Sequence, residues 1–432
     1  MSDWPQVPFS SLLQEPVRNG IYKPKEFHGR GAKIVNMGEL FGHPRLRAID
    51  MKRVELSKSE IHRFSLAVGD LIFARRSLTA EGAGKCSVVL ELQDVTTFES
   101  SIIRARPDKR RAHSLFFYYF FSSSAGAHQL DTIRRQVAVA GITGSDLSQL
   151  LVPAPTISEQ EAIASVLGAL DDKIELNRRM NETLEATARA IFKDCFIDFG
   201  PTRAEMEGRA PYLAPDIWSL FPNRLDADGK PEGWISSTIG QEAEVVGGST
   251  PSTKDAAFWG GDISWATPKD LSSLSTPVLL STERQITAAG LSQIGSGLLP
   301  VGTVLLSSRA PIGYMAIAEV PVAVNQGFIA MICKKRLSNV FVWLWTQANM
   351  KTVHQNANGS TFQEISKANF RPIEVTVPPP ELLRVFDDTI KLLFDRIVSN
   401  EKEIRTLSTT RDFLLPKLMS GEVRVDDAAS FV

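Results

Sequence analysis

The 432-residue chain carries one internal repeat, and that repeat limits what it can fold into more than any other feature. Residues 68–76 (VGDLIFARR) read against 301–309 (VGTVLLSSR), an offset of 233 that lays Arg76 on Arg309. Residues 111–118 read against 336–343 at an offset of 225, and 147–195 run without a gap onto 370–418 at 223. Trp4 and Trp234 open the two halves, each shortly before a polar, turn-rich stretch. Small loop insertions and deletions account for the drift in offset. The shared order of the matches marks a duplicated unit.

Each half has two parts. The first part mixes short β-type runs with glycine-rich turns: residues 71–74, 87–92 and 101–104, answered by 301–307, 315–318 and 327–332. A helix is expected at 115–121, with its counterpart around 340–348. Strands interleaved with helices predict an α/β or α+β head. The aromatic run from Phe116 to Phe121 invites a base-stacking role, but its counterpart is also apolar, so a helix buried against the sheet is the better reading.

The second part of each half is a long helix. After Pro153-Ala154-Pro155, Ser158 is the expected N-cap, with Glu161 closing a capping box. Ile163, Leu167, Leu170, Ile174, Asn177, Asn181, Leu184, Ala188 and Ile191 follow at alternating spacings of 4 and 3. The same frame gives Phe386, Ile390, Leu393, Ile397, Asn400, Ile404, Leu407, Arg411 and Leu414. A sustained 3.5-residue period makes one apolar seam and demands a partner helix. Asn177 and Asn400 hold equivalent seam positions and read as register pins, since a polar seam residue costs stability but penalises wrong registers. The simplest arrangement is two globular domains joined by two antiparallel coiled-coil helices, with a pseudo-two-fold axis imitating a dimer. Residues 163–191 span about 42 Å at 1.5 Å per residue. That is slightly more than the roughly 34 Å helical turn separating half-sites for dimeric DNA readers.

Hydrophobic residues make up 43% and charged residues 22%, the usage of a globular protein. Cys86, Cys195 and Cys333 form no CxxC pair, which argues against a zinc site or disulfide framework and for a reducing, cytoplasmic setting. No signal peptide is evident, and the most apolar run, 115–121, is far too short to span a bilayer. Net charge is −1, yet its distribution is uneven: +6 over residues 1–155 and −5 over 156–231. Enzyme signatures are missing. Residues 79–86 (TAEGAGKC) resemble a phosphate loop but lack its first glycine and its magnesium-binding hydroxyl. HExxH, GxSxG, GxGxxG and the NPPY-type loop of amine methyltransferases do not occur, and no metal cluster is suggested. Asp171-Asp172 and Asp387-Asp388 read as solvated helix faces.

Binding chemistry is easier to find. Cations cluster at Arg75, Arg76 and Lys85, at Lys109-Arg110-Arg111, and at Arg134 and Arg135, then recur at Arg309 and Lys334-Lys335-Arg336. Such groups contact phosphates, and an arginine fixed at a strand end can fork onto a base edge. Asn325 and Gln326 also follow a strand, and both can pair with adenine. The turns holding Thr143, and Ser360 with Thr361, offer hydroxyl and backbone donors for phosphate.

The order of these motifs resembles type I restriction–modification specificity subunits. Residues 158–174 (SEQEAIASVLGALDDKI) after a PxP breaker are similar to the family's conserved helix opening, and 191–199 (IFKDCFIDF) to its exit. Pro231-Glu232-Gly233-Trp234 resembles the start of a target recognition domain, and 414–423 (LLPKLMSGEV) the usual C-terminus. Departures are the second helix opening, PPPELL without Glu-Gln, and the Asp3-Trp4-Pro5 start.

The resemblance implies a division into recognition domain 1 (1–155), long helix 1 (156–198), linker (199–231), recognition domain 2 (232–378), long helix 2 (379–420) and tail (421–432). It implies a non-catalytic subunit whose two domains each read half of a bipartite double-stranded DNA target. The helices would set the spacer and dock two methyltransferase (M) subunits, with restriction (R) subunits joining. No cofactor is expected on this chain; S-adenosylmethionine, ATP and Mg belong to the partners. The alternative is a recognition or scaffold subunit of another phage-defence assembly without restriction activity.

Overall fold

The computed structural model describes residues 4–135, 140–359 and 363–425. The chain divides into two compact units, residues 1–174 with 406–432, and residues 175–405.

In the first unit a five-stranded sheet runs Leu13–Asn19, Ile102–Pro107, Leu71–Ala74, Cys86–Val89 and Arg45–Leu46, antiparallel except for the last, parallel pair. The strand Leu71–Ala74 reads as a continuous apolar run because both its faces are covered. Leu71 and Phe73 enter a core with Phe9 and the helix Ser114–Ser122, while Ile72 and Ala74 enter another with Val35, Leu40 and Phe98. The aromatic run is thus buried, Phe73 meeting Phe121 edge-to-face at 5.1 Å. A three-stranded sheet joins Arg53–Val54, His28–Val35 and Thr96–Phe98, and Gln6–Pro8 pairs with Leu151–Pro153.

The second unit repeats this plan. Its five strands run Glu244–Val246, Phe328–Ile332, Val304–Ser308, Ile312–Ala318 and Val278–Leu279, again with a parallel last pair. Its three-stranded sheet joins Arg284–Ile286, Trp259–Ala266 and Ala323–Val324. Even irregularities recur. His28 and Ala32 both face Val54, as Trp259 and Ile263 both face Ile286. Arg76 is bridged to Gly141 and Arg309 to Glu364, so the repeat offsets of 233 and 223 converge on one equivalent pairing.

The long helices are Ile157–Phe192 and Pro380–Met419. Every seam position named from the periodicity is buried or half-buried. In the first unit Ile163, Leu167 and Leu170 share a core with Leu414. In the second, Asn177 donates to Glu403, Asn400 donates to Asn181, and Phe192 packs on Phe386, a falling series that makes the helix segments antiparallel. Both amide bonds are 2.8 Å, and they leave Asn177 Oδ1, Asn181 Nδ2 and Asn400 Oδ1 buried without partners among the described residues.

Two expectations need correction. The N-cap of the first long helix is Thr156, not Ser158: the Thr156 hydroxyl accepts from the Glu159 N–H at 3.3 Å, because helical backbone already begins at Ile157. Glu161 therefore closes no box, and Glu159 instead accepts the Trp4 indole N–H at 3.1 Å. Asp171 does not lie on a solvated face either. It is buried, accepting from the Tyr119 hydroxyl and from Arg411 of the facing helix, both at 2.7 Å. Burial alone would lower the Arg411 pKa, but its bonds to Asp171 and Asp412 raise it. Asp387 is half-buried and accepts from Ser338 at 2.6 Å.

The halves have diverged at these junctions. Where the first unit has Tyr119, Asp171 and Arg411, the equivalent positions of the second are Leu344, Phe394 and Ala188, all buried and apolar. Glu159 and Gln160 correspond to Leu382 and Leu383. Buried Gln160 accepts the His113 N–H and donates to Arg111 and Pro155 carbonyls, a polar peg that the second unit replaces with core packing. Trp234, the counterpart of Trp4, accordingly leaves its buried indole N–H without a partner among the described residues.

Two stability tests follow. Arg411→Ala, which strands the Asp171 carboxylate, is expected to cost about 3 kcal/mol, and Asp171→Leu with Arg411→Ala distinctly less. Urea unfolding midpoints of the three proteins check this; equal losses would rule out the coupling. Asn181→Leu with Asn400→Leu should raise the midpoint, whereas Asn181→Leu alone should lower it by leaving Asn400 unpaired.

Candidate nucleic-acid interface

The basic excess of the N-terminal segment is largely spent inside the fold. Arg104, almost wholly buried, holds Glu15 and the Ser65 carbonyl at 2.8 Å, and Arg106 forks onto Asp70 at 2.7 and 2.8 Å. Arg45 and Arg47 both bind Asp172 at 2.6 Å. These cations are committed to carboxylates, buried at Asp70, half-buried at Glu15 and exposed at Asp172, and offer little to a ligand.

The residues singled out from sequence divide in the same way. Arg75 and Arg76 leave the central strand Leu71–Ala74. Arg75 is half-buried and donates to the Ser100 carbonyl at 3.2 Å. Arg76 is exposed, its backbone held in the ladder with Gly141, and its side chain has no hydrogen bond or ion pair among the described residues. Lys85 is exposed, its ammonium 5.3 Å from the Phe41 ring. Arg134 donates to the Ala83 carbonyl at 3.1 Å and pairs with Asp131, while Arg135 pairs with Asp146 at 2.8 Å. The Thr143 hydroxyl caps Gly144–Gln149, accepting from the Asp146 N–H at 3.1 Å.

In the second unit Arg309 leaves the strand Val304–Ser308 and lies 3.7 Å from Glu364. Asn325 is occupied by its own turn, Oδ1 accepting from the Gly327 N–H at 2.9 Å. Gln326 is exposed and accepts the Thr250 hydroxyl at 2.5 Å. Ser360 and Thr361 lie outside the described residues. The exposed groups Arg76, Lys85 and Gln326 and half-buried Arg309 all stand at strand ends or the turns beside them, where backbone pairing fixes their aim.

Sequence reasoning missed one constellation. The Arg284 guanidinium lies 3.5 Å from the centre of the Trp259 ring and 5.4 Å from that of Trp265. The two indoles meet edge-to-face at 5.0 Å. The signal available was a pair of tryptophans six residues apart in a β-type stretch, with an arginine on the next strand.

Two heads of one topology, each exposing its own polar groups at strand ends, are the geometry of a two-part reader. The family described as "Type I restriction modification DNA specificity domain" matches the chain over residues 21–186 and again over 231–402. The chain belongs to that family. It is a DNA-specificity subunit of type I restriction–modification. The MjaIX specificity subunit of Methanocaldococcus jannaschii is 36% identical over 188 residues, so the match spans less than half of either protein, 43% of each. The HindI specificity subunit of Haemophilus influenzae is 24% identical over 327 residues, 65% of this chain and 71% of that one. The putative MjaX specificity subunit of M. jannaschii is 20% identical over 429 residues, 98% of this chain and 94% of its own length. The crystal structure of a type I restriction–modification S subunit from M. genitalium shares the fold, with a TM-score of 0.60 and 16% identity over 96% of both chains. Among the described residues no helix is long and apolar enough to cross a membrane, and no group of His, Cys, Asp and Glu could hold a metal ion.

If Arg76 contacts a phosphate, Arg76→Ala lowers the slope of log K against log salt by about one for the assembled complex on its DNA target. Arg135→Ala, which removes a cation already paired, should leave that slope unchanged. A salt titration of DNA binding distinguishes the two.

Proposed function

We propose that each unit's head reads one half of an asymmetric, bipartite double-stranded DNA sequence, and that the long helices set the unread spacer between the halves. The observation that carries this is the duplicated head: the strand order and bulges recur, while the exposed side chains at the strand ends differ. Conserved geometry with altered contacts gives two recognition surfaces of the same construction and different sequence preference.

The remaining assignments rest on family membership. The outward faces of the two long helices dock two methyltransferase subunits, with the acidic segment 156–198 contributing most, and restriction subunits join that complex. This chain carries out no chemistry itself and works in the cytoplasm. S-adenosylmethionine, ATP and Mg are held by the partner subunits. The near-neutral net charge of −1 supports a reader whose affinity depends on partners embracing the same DNA.

The test is genome-wide adenine methylation in the native cell with and without the gene. Deletion is expected to abolish one bipartite methylated motif and no other. An unchanged methylome in a host whose partner methyltransferases are active would overturn the proposal.

A further inference from the structure

We propose that Arg284 is a specificity-determining residue of the second head, reading the major-groove edge of a guanine from a tryptophan platform. The inference rests on the bipartite reading above and adds a named reader to it.

Arg284 opens the strand Arg284–Ile286 of the three-stranded sheet, opposite Trp265 in the ladder. It is exposed, and among the described residues its guanidinium donates no hydrogen bond and forms no ion pair. That sets it apart from Arg75, Arg134, Arg135 and Arg309, each of which spends its donors on a carbonyl or carboxylate or stands beside one. Yet Arg284 is not loose. At 3.5 Å from the Trp259 ring centre it is held by cation–π attraction and dispersion, which fix the side chain without consuming N–H groups.

The platform is itself braced. Trp259 donates its indole N–H to the Ser252 carbonyl at 3.0 Å, and Trp265 donates to the Ser249 carbonyl at 3.3 Å. Both bonds land on one loop, whose Thr250 also holds Gln326. One loop therefore couples an exposed fork of donors to an exposed carboxamide. Guanine presents two acceptors, O6 and N7, that match a guanidinium fork. A planar side chain stacked in advance loses less freedom on binding than a floppy one.

The first head lacks this device. At the equivalent register it has His28, Ile34 and Lys52 in place of Trp259, Trp265 and Arg284. The platform is thus a difference between the heads, as expected of a feature that separates their half-sites.

The experiment is the methylome of cells carrying the full-length chain as wild type, Arg284→Ala, Arg284→Lys or Trp259→Ala, with partner subunits unchanged. Recovery of each variant in the assembled complex serves as the folding control. Both Arg284 variants should lower methylation of the wild-type motif by roughly ten- to a hundredfold. Both should also relax a single G·C position in one half of it, leaving the other half intact. Lysine keeps the charge but has neither the planar group that stacks nor the fork, so it should fail like alanine, with Trp259→Ala milder. An unaltered motif, rescue by lysine, or a uniform loss with both halves still read would overturn the inference while leaving the bipartite reading in place. A wild-type chain that directs no bipartite motif would instead overturn the reading on which it rests.

Discussion

An apolar stripe repeating every 3.5 residues cannot be buried by the helix that carries it, and that constraint organises this chain. Ile163, Leu167 and Leu170 find cover against Leu414, and Phe192 against Phe386, only because the second helix runs the opposite way. The heads depend on the same burial. The helix Ser114–Ser122 packs its aromatic face into a core that the long-helix residues complete, and Trp343 with Phe341 occupies the corresponding place in the second unit. A head without its two helix segments would expose that core to water.

Polar groups within the seam carry the specificity that apolar burial lacks. Leucines and isoleucines tolerate a one-turn slip; Asn400 bonded to Asn181 and Asp171 held by Arg411 do not. Three amide atoms remain unpaired among the described residues, so this layer trades stability for a defined register.

Much of the architecture was legible in sequence because duplication supplied a second copy to compare. The central strand Leu71–Ala74 and the helix Ser114–Ser122 stand where apolar runs and turns predict them, within a residue or so. Less was legible at the helix start, where a serine with a glutamate three residues on imitated a cap that Thr156 actually makes. Asp171 reads in sequence as one of a solvated pair, because the arginine that neutralises it lies 240 residues away. The interface was harder still. A run of cations shows charge but not its commitments, and Arg104, Arg106 and Arg135 turn out to be partnered. The two tryptophans of the Arg284 platform show in sequence, but the arginine that joins them is brought there by a strand pairing with a bulge.

The divergence of the junction residues has a bearing on how such chains mix. Set two copies of the first half against each other and Asp171 would face the alanine at 188, a buried carboxylate deprived of its arginine on the facing helix. Two copies of the second half would drive Arg411 against Phe394. Each like-with-like union therefore forfeits the Asp171–Arg411 pair, whereas the union of unlike halves keeps it. The duplication has become complementary, with the two halves related as lock and key rather than as twins. A half exchanged with that of a relative keeps this pair only where the newcomer brings the matching charge, and otherwise gives up its share of the stability.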